Sequence, residues 1–78
     1  MVYIEFDVPT QSSHLVDTLT KELSKIGGEL SSTDTKTDCI TLDFVLSCSF
    51  LEDIPIEDYR KLRASNQLLD VRINWANC

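Results

Sequence analysis

The chain is predicted to fold as an α+β domain, a four-stranded antiparallel sheet with two helices on one face. Three observations carry this. Residues 39–50 alternate without a break, with Ile40, Leu42, Phe44, Leu46, Cys48 and Phe50 on one parity and Cys39, Thr41, Asp43, Val45, Ser47 and Ser49 on the other. Strand side chains alternate between faces, so this is a long strand with one apolar face. Two further alternations open and close the chain. Between them lie two stretches whose apolar residues recur at helical spacing.

In chain order, Val2, Ile4, Phe6 and Val8 alternate with Tyr3, Glu5 and Asp7. This is the first strand, and Pro9 ends it because proline has no ladder donor. Thr10 to Ser13 offer helix N-caps, of which Ser12 is preferred. Leu15, Val16, Leu19, Leu23 and Ile26 then form one apolar stripe, predicting a helix from Ser12 to Ile26. Asp17 stands four residues before Lys21, the orientation that favours an ion pair. Gly27-Gly28 supplies the C-terminal cap. Glu29 to Lys36 is polar and suits an exposed edge strand, and Thr35 to Asp38 turns into the long strand of residues 39–50. A second helix is expected from Pro55 to Ser65, because Ile56, Tyr59 and Leu62 share a face and proline is tolerated in a first turn. Leu69, Val71, Ile73 and Trp75 alternate with Asp70, Arg72 and Asn74 in a last strand.

The order strand, helix, strand, strand, helix, strand is that of the split βαβ, or ferredoxin-like, motif. In it the first and third strands are central and the second and fourth are edges. Here the first and third are the most apolar and the second the most polar, so local and global readings agree.

Seventy-eight residues make one domain. A chain of this size buries only about 60% of its unfolded surface, so its core is compact and its stability modest. No apolar run approaches the ~20 residues of a membrane-spanning helix, and no leader peptide is expected. Cys39, Cys48 and Cys78 form neither a metal spacing nor a Cys-x-x-Cys pair. Cys39 and Cys48, on opposite faces of one strand, cannot bond to each other. The expectation is a reducing, cytoplasmic setting, with Cys48 a small core residue and Cys78 a terminal thiol.

The net charge is −6. Residues 1–53 hold ten acids and three bases, while residues 54–78 hold three acids and four bases. An acidic body argues against direct binding to nucleic-acid phosphates and for a basic protein partner. The outward parities place Tyr3, Glu5, Asp7, Thr41, Asp43, Val45, Asp70, Arg72 and Asn74 on the uncovered sheet face. Of these, Tyr3, Glu5, Asp7, Asp43, Asp70 and Arg72 are the candidate binding residues. Four carboxylates against one cation is a patch that stability alone does not call for, since like charges on neighbouring strands repel.

Other chemistries find less in the sequence. Stacking of RNA bases needs outward aromatics on the central strands with basic residues around them, and Tyr3 is the only one. His14 is the single histidine, near the start of the first helix among polar residues, and no nearby Cys or Ser is singled out as its nucleophile. The cysteines lack activating cations, and no glycine-rich phosphate loop is present. The opening Val2-Tyr3-Ile4-Glu5-Phe6-Asp7-Val8-Pro9, with a helix closing on Gly27, resembles the start of Cas2-type proteins and their antitoxin relatives of the GhoS type, over about the first 28 residues. That resemblance implies a metal-dependent nuclease with Asp7 as magnesium ligand, assisted by Glu5 or Asp43. The strand order is also similar to that of ACT-type regulatory domains, although the turn Asp7 to Ser12 lacks their glycine. The expectation is a binding module with no catalytic residues, no cofactor and no resident metal. It meets a basic protein through the acidic face as an inhibitor of the antitoxin, immunity or phage type. It contacts no membrane and forms a weak homodimer.

Overall fold

The computed structural model describes residues 1–76 and 78. The strands are β1 (Val2–Pro9), β2 (Glu29–Thr35), β3 (Cys39–Leu46) and β4 (Asp70–Asn74), and the helices α1 (His14–Ser24) and α2 (Ile56–Ala64). The four strands form one sheet in the order β2-β3-β1-β4, with every neighbouring pair antiparallel. The two central strands are therefore those with the cleanest alternation. Val2, Ile4, Phe6 and Val8 of β1 and Leu42, Phe44 and Leu46 of β3 are buried together with Leu15, Leu19 and Leu23 of α1 and Tyr59 of α2. One parity of the central strands and one stripe of each helix make the core. Phe6 sits at its centre, edge-on to Phe44 at 5.7 Å and to Tyr59 at 4.9 Å between ring centroids.

The helices start and stop where backbone chemistry requires. A 3-10 turn over Thr10–Ser12 leads into α1, and Ser12 is buried without making the side-chain cap expected of it. At the other end, the Gly28 N–H donates to the Leu23 carbonyl at 2.8 Å, and Gly27 takes φ +77°. A Cβ on Gly28 would stand 2.9 Å from that same carbonyl oxygen, so the close approach demands glycine there. Asp17 and Lys21 form no ion pair. The bridges among the described residues are Arg60–Glu57, Arg63–Asp70 and three made by Arg72.

Three sequence expectations change. The long strand ends at Leu46, and Cys48–Asp53 forms a 3-10 helix begun by the Ser47 side chain, which accepts from the Ser49 N–H. A run of alternating residues does not extend a strand beyond its partner, and β1 ends opposite Leu46 at Val2. The last strand is shorter than the Leu69–Trp75 alternation. Leu69 is 52% exposed and Trp75 50%, while Leu68 is the buried residue. Val71 and Ile73 within the strand are half-buried, because β4 is an edge and α2 covers it only in part.

The third correction concerns the cysteines. Cys48 and Cys78 are joined as a disulfide, and Cys39 is the free thiol. The register explains the pairing. Val2 faces Leu46 on one side and Tyr3 faces Asn74 on the other. The chain therefore leaves β3 and β4 at the same end of the sheet, and short continuations bring the two sulfurs together. No helix among the described residues is long and apolar enough to cross a membrane.

Candidate functional site

The register lays the outward side chains in rows across the sheet. One row runs Glu29, Val45, Tyr3, Asn74; the next Ser32, Asp43, Glu5, Arg72; the third Asp34, Thr41, Asp7, Asp70. Five of the six candidate residues fall in the last two rows, and Tyr3 stands beside them, half exposed. The helices contribute their buried side chains to the opposite face of the sheet, so nothing from the helical layer covers these rows.

Arg72 is the hub. Its Nε donates to Glu5 Oε1 at 2.6 Å, and its Nη1 donates to Asp7 Oδ2 at 2.9 Å and to Asp70 Oδ2 at 2.8 Å. A second guanidinium nitrogen, Nη2, also meets the Glu5 carboxylate. The guanidinium fork presents several donors in one plane, which is why one arginine can gather three carboxylates from two strands. Hydrogen bonds to Asp7, Glu5 and Asp70 push the Arg72 pKa further up, so it stays charged at any ordinary pH.

Asp7 is the most enclosed of the three acids that Arg72 gathers, with about a fifth of its side chain exposed. The bond from Arg72 holds its carboxyl below the usual carboxylate range, assisted by one from Thr41 and opposed by partial burial. Its other oxygen, Oδ1, accepts from the Thr41 hydroxyl at 2.8 Å. Both oxygens are thus engaged by protein donors, and a cation at Asp7 would have to displace a guanidinium and a hydroxyl. The described residues contain no cluster of three or more His, Cys, Asp or Glu arranged to hold a metal ion.

Asp43 behaves differently. It lies opposite Glu5, outside the reach of Arg72, and accepts from the Ser32 hydroxyl at 2.7 Å. The irregularity between Leu30 and Ser32 shifts the β2 register by one residue. Ser31, left out of the pairing, donates its hydroxyl to the Asp43 carbonyl at 2.9 Å. Tyr3, Glu5, Asp43, Arg72, Asn74 and the two serines rim a shallow hollow of about 430 Å³.

The residues sequence reasoning singled out are therefore neighbours, but they are not equivalent. Glu5, Asp7 and Asp70 share a counter-charge, and Asp43 has none. Ser31, Ser32 and Asn74 belong to the same surface, Thr41 is buried beside Asp7, and none of the four was among the candidate binding residues. Thr41 and Asn74 carried the outward parity that could have included them. The bulge that brings in both serines has no sequence signal in a run of Ser and Thr. No protein-family model, curated protein or solved structure matches the chain. The Cas2-type resemblance rests on the opening residues alone.

Proposed function

We propose that the chain is a ferredoxin-like binding module that engages a basic protein partner through the outer face of its sheet, acting as an inhibitor of the antitoxin, immunity or phage type. One observation supports this most. Four carboxylates from three adjacent strands converge on an uncovered face with a single guanidinium among them, leaving the surface net negative and prearranged. Charge of one sign on a rigid sheet favours fast, selective encounter with a partner of the other sign. Carboxylates spaced along strands also offer what a nucleic-acid-handling enzyme reads as phosphate. Weak homodimerisation belongs to the same proposal, since Tyr3 and Val45 put apolar surface on that face. We place the action in the cytoplasm. The Cys48–Cys78 bond weighs against this, because disulfides persist mainly in oxidising compartments.

The experiment begins by capturing a partner with the intact protein. Glu5→Gln with Asp43→Asn is then compared against Asp17→Asn with Glu22→Gln on the helical side. The sheet pair should slow association, and the difference should shrink in high salt, where the Debye length falls to about 3 Å at 1 M. Asp7 is left intact because it is more enclosed than Glu5 and holds Thr41 as well as Arg72, so its loss would disturb the fold. Loss of binding in the helix pair alone would move the contact surface to the other side of the molecule.

A further inference from the structure

The sheet ends at β4, and its outer edge has no strand beside it. On this strand the parity that faces the helices is incompletely covered. Val71 and Ile73 are half-buried and Trp75, next in the same parity, is 50% exposed. Ile56, Arg60 and Arg63 of α2 form the opposite wall of a groove of about 290 Å³. Spacings of four and three residues place those three on one helix face. A free ladder edge beside an apolar trough is the arrangement that accepts an added strand. The edge supplies main-chain hydrogen bonds, and the trough takes alternate side chains. The Val71 N–H donates to Asp70 Oδ1 at 2.9 Å, an answer found within the chain where a neighbouring strand would otherwise serve. The other edge, β2, is exposed on both faces and interrupted by its bulge, so it offers no such trough.

Charge selects the occupant. The charged side chains that line the groove, Arg60 and Arg63, are both cationic. Among the described residues Arg60 is paired only with Glu57 of its own helix, and Arg63 stands 3.7 Å from Asp70, with both arginine side chains largely exposed. A second copy brought edge to edge about a two-fold axis would set these arginines against their own images. A basic segment would be repelled in the same way. We propose that the groove between β4 and α2 binds an extended acidic segment of a partner protein. The segment adds as a fifth strand, with alternate apolar side chains over Val71, Ile73 and Trp75 and carboxylates on Arg60 and Arg63. This surface is distinct from the outer sheet face.

Trp75 is the only tryptophan, so its emission reports occupancy directly. The probe is a blocked heptapeptide alternating glutamate and valine, and the control replaces glutamate with lysine. The glutamate peptide should give a saturable blue shift and the lysine peptide none. The double variant Arg60→Glu, Arg63→Glu should bind the glutamate peptide about tenfold more weakly, the size two partly exposed charge contacts reach together, and should gain the lysine peptide. Unchanged circular dichroism will show that the variant is folded. N-methylating one alternate set of peptide amides should abolish binding while methylating the other set should not, because only one set faces β4. Equal binding of both peptides, or no movement of Trp75 emission at millimolar glutamate peptide, would overturn the proposal. So would indifference to both methylation patterns, or a homodimer that buries Trp75.

Discussion

Replacing Arg72 by methionine keeps the aliphatic stem and removes the charge that three carboxylates share. Glu5 and Asp70 are more than a third exposed, so their bonds to Arg72 are each worth at most about 0.5 kcal/mol. Asp7 is better shielded and receives a charge-assisted bond at 2.9 Å, worth about 1.5 kcal/mol. Arg72→Met should therefore cost about 2 kcal/mol at neutral pH, a large share of what a domain this small possesses. The pH dependence gives a second reading with a definite sign. Asp7 titrates lower in the folded chain than in the unfolded one. Its contribution is thus complete above the unfolded value of about 3.9 and is lost as pH falls through the folded value. The parent should be flat from about pH 7 to about pH 5 on account of this group and weaken below about pH 4. In Arg72→Met the carboxylates face one another uncompensated, so mild acid should restore stability and not remove it. Urea denaturation at both pH values, repeated at low and high salt, measures this. A variant within 0.5 kcal/mol of the parent at neutral pH, with the same acid response, would show that Arg72 merely decorates the surface.

Phe44→Ala empties the position edge-on to Phe6 in the fully buried part of the core, and should cost about 3–5 kcal/mol in the same assay; a loss below 1 kcal/mol would reverse the assigned parity. Tyr59 buries a hydroxyl with no hydrogen-bond partner among the described residues, and burial pushes its pKa up. Tyr59→Phe should therefore be neutral or stabilising by about 1 kcal/mol, and a clear destabilisation would reveal an unseen partner for the hydroxyl. Alkylation of the denatured, unreduced protein should modify Cys39 alone, and all three cysteines only after reduction. Because the bond joins residues 30 apart, Cys78→Ser should lower stability by about 3 kcal/mol. Three labels without reductant would remove the disulfide.

The parts of the fold legible in the sequence are those fixed by periodicity. Alternation in β1 and β3 named the buried set Ile4, Phe6, Leu42 and Phe44, and the Leu15–Leu19–Leu23 stripe named the helix face, because burial on one side leaves a repeat in the residue types. The ends were less legible. Cys48 and Phe50 continue the alternation of β3 after its partner has ended, and Leu69 and Trp75 do the same for β4. Pattern reports which way a side chain would point in a strand, whereas only a neighbour decides whether the strand is there. The site divides in the same way. Parity placed Glu5, Asp7, Asp43, Asp70 and Arg72 on one face, yet their unequal roles follow from cross-sheet register. Arg72 lies opposite Glu5 and diagonal to Asp7 only once β4 is known to lie against β1. The Cys48–Cys78 bond depends on register too, and spacing along the chain could not supply it.

The central position of β1 also bears on how the chain assembles. Its partners are residues 39–46 on one side and 70–74 on the other, so only the β2–β3 hairpin joins strands adjacent in sequence. Such distant pairings slow folding, since long loops must close first. A nascent chain that has paired β1 with β3 but not yet delivered β4 exposes one edge of β1, the bare ladder that invites wrong partners. Beside that edge Glu5 and Asp7 then lack their guanidinium, and two such intermediates repel each other. The strand that finally covers the edge carries Arg72, so closing the sheet and discharging its most dangerous margin are one event.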